Sequence, residues 1–213
     1  MALAALVGTS YGQGFVTVAG TMSNSTNSTA ITTAWTGGQQ SSTGTWGNLG
    51  TANSGQHFDV ALLTTTAGSP TLTLFGDANL ATDWLYTGLS GVNANTFAGR
   101  LSIGSDVMAN NAPVGNSQNW ILVAWSTSLG TSWAQVEPLL AAGSFGAATG
   151  FIGWSAIGVG PAGAASPGLP LIIQGTGSII PGAFTLLQVV PEPSTIALAG
   201  LGGLSLLLFR RRK

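Results

Sequence analysis

The chain has 213 residues, no cysteine and 32 glycines, and charged residues make up only 5% of it, against roughly 25% in an ordinary globular domain. Disulfides are excluded, so the fold must rest on its own core, for which this length suffices once. Between residues 11 and 190 five carboxylates (Asp59, Asp77, Asp83, Asp106, Glu137) face one cation, Arg100, a formal charge of −4; such a surface repels phosphate backbones, and no nucleic-acid partner is expected.

In chain order, Met1–Val7 is a short apolar run followed by Gly8 and Ser10, small residues suited to the −3 and −1 positions of export cleavage before Tyr11. Residues 1–10 therefore read as the remnant of a signal peptide, whose basic start is expected upstream of Met1. Short β-rich runs follow, punctuated by Gly, Pro, Asn and Ser. Phe15–Val18, Ile31–Trp35, Phe58–Leu63, Thr71–Phe75 and Phe97–Ile103 are predicted strands. Trp120–Trp125 is apolar on both faces and is predicted to be a central strand, with Trp120 and Trp125 pointing to opposite sides. Ser132-Trp-Ala-Gln135 has the spelling of a capping box and predicts a short helix over Trp133–Ala142, ended by Gly143 and limited by Pro138. Phe151–Val159, Leu169–Gln174 and Phe184–Val190 complete the set. The spacing predicts an all-β fold, a two-sheet β-sandwich of jelly-roll or immunoglobulin-like type over residues 11–190, with one short helix and a C-terminal apolar helix.

Several spellings of chemistry fail on context. Gly8-Thr-Ser10-Tyr-Gly12 matches a nucleophile elbow but lies at the expected export cleavage site. His57 is the one histidine; Asp59, two residues on, shares its strand face, which suits a surface pair better than a triad. Gly158-Val-Gly160-Pro-Ala-Gly163 spells a dinucleotide fingerprint, yet Pro161 and the Ala/Ser/Pro run after it cannot open a phosphate-binding helix. Asp77-Ala-Asn79-Leu-Ala-Thr-Asp83 departs from a calcium loop at Ala81, Thr82 and Gly88. Asn24-Ser-Thr26 and Asn27-Ser-Thr29 read as a polar turn. No metal, no cofactor and no catalytic residue is assigned, and the chain reads as a non-enzyme. A carboxylate-dependent hydrolase would require Asp77 to converge with Asp83 or Asp106.

Seven tryptophans carry the case for binding. Exposed indole faces stack on sugar rings, and a hydroxyl-rich, charge-poor surface tolerates neutral polysaccharide. Trp46 and Trp84, set among Gly, Asn and Thr, are the candidate glycan-stacking residues; the others read as core.

The last residues have a different logic. Pro191-Glu192-Pro193-Ser194 brackets one carboxylate between two prolines, which keeps the approach extended. Ile196–Phe209 follows without a charge and, as a helix, would be roughly 20 Å long, short for a permanent membrane span. Arg210, Arg211, Arg212 and Lys213 then supply four of the five basic residues in the chain. Such a cluster stays cytoplasmic, which puts the body on the far side of the membrane. This order (Val190-Pro-Glu-Pro-Ser-Thr195, apolar stretch, basic end) resembles the PEP-CTERM sorting signal of Gram-negative bacteria, and the body loosely resembles small β-rich proteins that carry it. The resemblance implies recognition of Pro191, Glu192 and Pro193 by an exosortase, anchoring in the inner membrane through 191–213 until processing, and delivery to the cell surface or extracellular matrix, with extracellular polysaccharide as a partner there.

Overall fold

The computed structural model describes residues 13–19, 31–34, 57–65, 72–93, 101–164, 179–180 and 184–189. They form nine strands: β1 (Gln13–Ala19), β2 (Ile31–Ala34), β3 (Phe58–Thr65), β4 (Leu85–Asn93), β5 (Leu101–Pro113), β6 (Ser117–Ser126), β7 (Gly150–Trp154), β8 (Gly158–Pro161) and β9 (Phe184–Val189). Two α-helices, α1 (Leu80–Asp83) and α2 (Trp133–Ala141), and a 3-10 turn (Thr127–Leu129) complete the described elements. The all-β expectation holds, but the described strands belong to one hydrogen-bonded sheet in the order β1-β5-β4-β3-β6-β7-β9-β2, with β8 added on β6. Among the described residues there is no second, separate sheet, and the one sheet curls.

β6 organises this sheet. Its sequence Trp120-Ile-Leu-Val-Ala-Trp125 is apolar at every position, and all six side chains are buried. Neutral apolar residues on both faces demand cover on both sides. β3 pairs antiparallel with β6 over its whole length, from Phe58↔Ser126 to Thr65↔Asn119. The opposite edge of β6 forks. Its first half, Ser117–Trp120, pairs with β8, while Val123–Trp125 pairs with β7. The chain crosses between the two at Ser155, whose N–H donates to the Leu122 carbonyl at 2.9 Å while its Oγ accepts the Leu122 N–H at 3.0 Å. The predicted continuous strand Phe151–Val159 is broken there for that reason.

The fork gives the two faces different cover. On one face, Val16, Val18, Phe58, Val60, Leu62, Ala109, Trp120, Leu122 and Leu186 form a core enclosed by the sheet itself. The sheet closes because β1, at one end of the strand order, meets the residues following β8: Phe15 and Gly163 exchange two backbone hydrogen bonds of 2.9 Å. β1, β5, β4, β3, β6 and β8 thus ring a small barrel filled by side chains, as small barrels are. Gly14 sits where this seam is tightest, and a Cβ there would overlap that of Ala162.

On the outer face, Ala61, Leu63, Ile121, Val123 and Trp125 meet Leu74, Leu80, Trp84, Trp133, Val136 and Leu140. This second core is capped by α2 and the 72–84 segment. Trp125 and Trp133 lie with ring centroids 6.0 Å apart, and the Trp125 Nε1–H donates to the Gly130 carbonyl at 2.8 Å. The helix forms where its sequence places it. Ser132 is its N-cap but makes no side-chain cap bond; Gln135 Oε1 instead accepts the Thr131 N–H at 2.7 Å. At the other end the Gly143 and Ser144 N–H groups donate back to the Leu140 and Leu139 carbonyls, closing the last turn.

Other boundaries differ from the sequence reading. Of the strand predicted at Thr71–Phe75, Leu72–Phe75 is non-regular: Leu74 is buried in the outer core, and the Gly76 N–H caps α2 by donating to the Leu140 carbonyl at 2.8 Å. β4 and α1 are unpredicted, and β5 continues to Pro113, well past Ile103. β2 and β9 pair in parallel, Ile31↔Phe184 to Ala34↔Leu187. Leu169–Gln174 and the C-terminal apolar helix lie outside the described residues. No helix among those described is long and apolar enough to cross a membrane.

Candidate functional site

The strand that leads into the C-terminal tail is β9, and its placement is set by alternation. Leu186 points into the barrel core and is fully buried, whereas Val189 is half-buried against the tryptophan-rich outer core. β9 lies between β2 and β7, and its antiparallel register with β7 runs Ile152↔Leu187, Phe151↔Gln188 and Gly150↔Val189. The last described residue of the body is therefore locked in a ladder.

Two hydroxyls hold the β7 side of that lock. Ser126 Oγ accepts the Phe151 N–H at 2.5 Å and donates to the Phe151 carbonyl at 3.2 Å. Ser128 Oγ, in the 3-10 turn Thr127–Leu129 that follows β6, donates to the Thr149 carbonyl at 2.7 Å. The turn is itself tied to β3, because the Thr127 N–H donates to the His57 carbonyl at 3.1 Å. Gly150 sits under this clasp; an added Cβ would meet Ser126 Oγ at 2.5 Å, Ser128 Oγ at 2.7 Å and Leu129 Cγ at 2.8 Å. Only glycine fits without moving them. These residues escaped the sequence reading, whose one available signal was the Ser/Thr/Gly-rich run Ser126–Ser132 directly after an apolar strand.

The neighbourhood is almost uncharged. His57 is exposed at the start of β3. Burial raises the Asp59 carboxyl above its ordinary range, an effect His57 partly opposes. Asp59 Oδ2 is buried without a hydrogen-bond partner. The hydroxyls of Ser126 and Ser128 are engaged with backbone groups, so the cluster fastens strands and holds no activated nucleophile.

The residues singled out in the sequence fall in separate places. Pro191, Glu192, Pro193 and the cluster Arg210, Arg211, Arg212 and Lys213 lie outside the described residues, as does Trp46. Trp84 is a correction: it has 0% exposure within the outer core, and a ring enclosed on all sides offers no face to a sugar. Trp120, Trp125 and Trp133 are buried too, and Trp154 is half-buried. Asp77 makes a local turn, its Oδ1 accepting the Asn79 N–H at 3.0 Å. No group of three His, Asp or Glu residues among those described is placed to hold a metal ion. Gly158–Pro161, spelled like part of a phosphate loop, is β8, with Gly160 paired to Gln118.

What defines the site is thus a folded β body whose last strand hands over to a motif-bearing tail. A protein-family model, the PEP-CTERM protein-sorting motif, matches residues 189–213. The chain carries that C-terminal sorting domain, a signal for exosortase-dependent sorting of secreted and surface proteins, and with it a transient interaction with exosortase. The matched segment begins at Val189, the residue paired with Gly150. No curated protein and no solved structure matches the chain.

Proposed function

We propose that this chain is a structural component of the cell surface or the exopolysaccharide-rich extracellular matrix, exported and processed by an exosortase through Pro191, Glu192 and Pro193. The observation that carries the reading is the sorting motif at residues 189–213, joined without a linker to a charge-poor β body. The tail serves as address and temporary anchor, with Arg210–Lys213 retained on the cytoplasmic side. The body acts without catalysis. Its support is the composition: a single histidine, no cysteine, and hydroxyls and amides in place of charges on the surface. A carbohydrate-binding role rests on Trp46 alone, now that Trp84 is enclosed.

Fractionation of cells expressing the full chain tests the address. Glu192→Ala is expected to abolish surface or matrix delivery and leave the tail attached; unchanged delivery and processing would overturn it. A glycan array with the wild-type and Trp46→Ala proteins tests the sugar-binding role, which requires binding that the substitution removes.

A further inference from the structure

The junction between β9 and the tail constrains the sorting enzyme as well as its substrate. Val189 is paired with Gly150 and half-buried, and a single residue, Val190, separates it from Pro191. Three fully extended residues span at most about 11 Å, so Glu192 cannot be farther than that from the Val189 Cα. One α-helix with its side chains is already about 10–12 Å across. A cleft with walls of helix thickness that encloses Glu192 therefore reaches the folded body, unless β9 peels away from β7. Peeling would break the pairs Gly150↔Val189, Phe151↔Gln188 and Ile152↔Leu187 and withdraw Val189 from the outer core. The Ser126 and Ser128 clasp and the close fit around Gly150 oppose that opening.

We propose that the end of the sheet around Thr149, Gly150 and Leu187 is a docking surface for the membrane-embedded processing enzyme, held against it by the short connection to Pro191. This rests on the sorting function proposed above. The surface suits a neutral protein contact. Thr149 is exposed, and Leu187, on β9 two residues before Val189 and opposite Ile152, is 56% exposed, unusual for a leucine inside a sheet. The contact is steric and short-ranged, so its effect depends on tether length, which makes it separable from recognition of the motif itself.

The test uses the full chain co-expressed with its exosortase and follows tail removal by pulse-chase. Thr149→Arg, Thr149→Glu and Leu187→Asp are each expected to slow processing about fivefold, the effect of roughly 1 kcal/mol of lost contact. Inserting eight Gly/Ser residues between Val190 and Pro191 in the same variants is expected to restore the wild-type rate, because the body no longer has to touch the enzyme. Thermal melts of the variants check that the body is folded. Equal processing of all three variants and the wild type overturns the proposal, as does a slowdown that the insertion leaves in place. Silent surface variants together with faster processing of Val189→Ala would show that β9 opens instead. If Thr149→Glu slows processing while Thr149→Arg speeds it, the surface meets an anionic bilayer, and the enzyme contact is again overturned. Glu192→Ala separates the two levels: if it is processed normally, the sorting function fails and not merely the docking surface.

Discussion

The two faces of β6 solve the same problem by different means. Inside the barrel, Trp120 and its neighbours are enclosed mainly by strands, with Ile179 and Ile180 packed against β8, and the indole Nε1–H donates to the Gly160 carbonyl at 2.8 Å and so fixes β8. Its polar groups are neutral and matched: Thr64 Oγ1 donates to buried Gln118 Oε1 at 2.9 Å, and Thr87 Oγ1 donates to the Leu62 carbonyl at 2.7 Å. Outside, the core around Trp125 is covered by α2 and by the 72–84 segment with its short helix α1, and the polar groups are less settled. Asp59, opposite Trp125 in the ladder, has an unpartnered buried oxygen, and the Trp133 Nε1 is buried without a hydrogen-bond partner of good geometry. A core closed by its own sheet satisfies its backbone as it closes, whereas one capped by added elements depends on how well they seat. The barrel should therefore be the cooperative heart of the fold and the outer core the part that loosens first.

Truncating the two tryptophans is the strongest way to break that distinction. Trp120→Ala and Trp125→Ala each remove a fully buried ring, and losses of about 3–5 kcal/mol are expected for such changes. In urea unfolding Trp120→Ala should lower the midpoint of the whole transition. Trp125→Ala should first release α2, seen as early hydrogen exchange confined to residues 133–142. Uniform exchange in both variants would show that the cores are one cooperative unit.

Closing the seam wrongly should have a smaller effect. Gly14→Val places a branched side chain against Ala162, and overpacking of this kind costs about 1–3 kcal/mol. The expected result is a lower melting temperature with faster exchange in β1 and residues 158–163. Exchange accelerated mainly around α2 would contradict the assignment of the seam to the barrel.

The mildest expected effect is one of pH, and it belongs to the outer face. Burial raises the carboxyls of Asp59 and of Glu137 on α2; His57 partly opposes the first shift and the Trp133 indole the second. A folded-state pKa above the unfolded one means that the folded protein holds the proton more tightly. The associated stability is complete below the ordinary values of 3.8 and 4.5 and is lost as pH rises through the raised folded values. Stability should thus fall with rising pH over that window, and Asp59→Asn with Glu137→Gln should flatten the dependence. A wild-type urea midpoint that rises with pH in this range would reverse the sign.

Much of the body was legible where burial is two-sided or strictly alternating. Trp120–Trp125 showed its central position because every residue is apolar, and the opposite orientation of its two tryptophans followed from strand parity. α2 was legible from Ser132, Gln135 and Gly143. β4 was not: Leu85-Tyr-Thr-Gly-Leu-Ser-Gly-Val-Asn93 carries two glycines and has only Thr87 and Asn93 fully buried, so it lacks the apolar rhythm of a covered strand. Thr71–Phe75 has that rhythm, but its buried leucine serves the helix-capped core as a loop. Trp84 misled for a related reason, since polar neighbours in sequence do not report which distant residues enclose a ring in the folded core. The clasp at Ser126, Ser128 and Gly150 was invisible because its partners converge only once β6 and β7 are side by side. The sorting motif, by contrast, is read directly from consecutive residues.

The parallel pairing of β2 with β9 has a consequence for timing. Ile31–Ala34 has to wait for Phe184–Val189, the segment directly before the sorting signal, to find its partner. Contacts so distant along a chain form late. In a chain that crosses the membrane from its N-terminus, β2 would stay without its β9 partner until translocation is almost complete. The β2–β9 ladder is thus completed last, by the strand that runs into the matched sorting motif, so the fold cannot close until the residues of its own address label have been delivered with it.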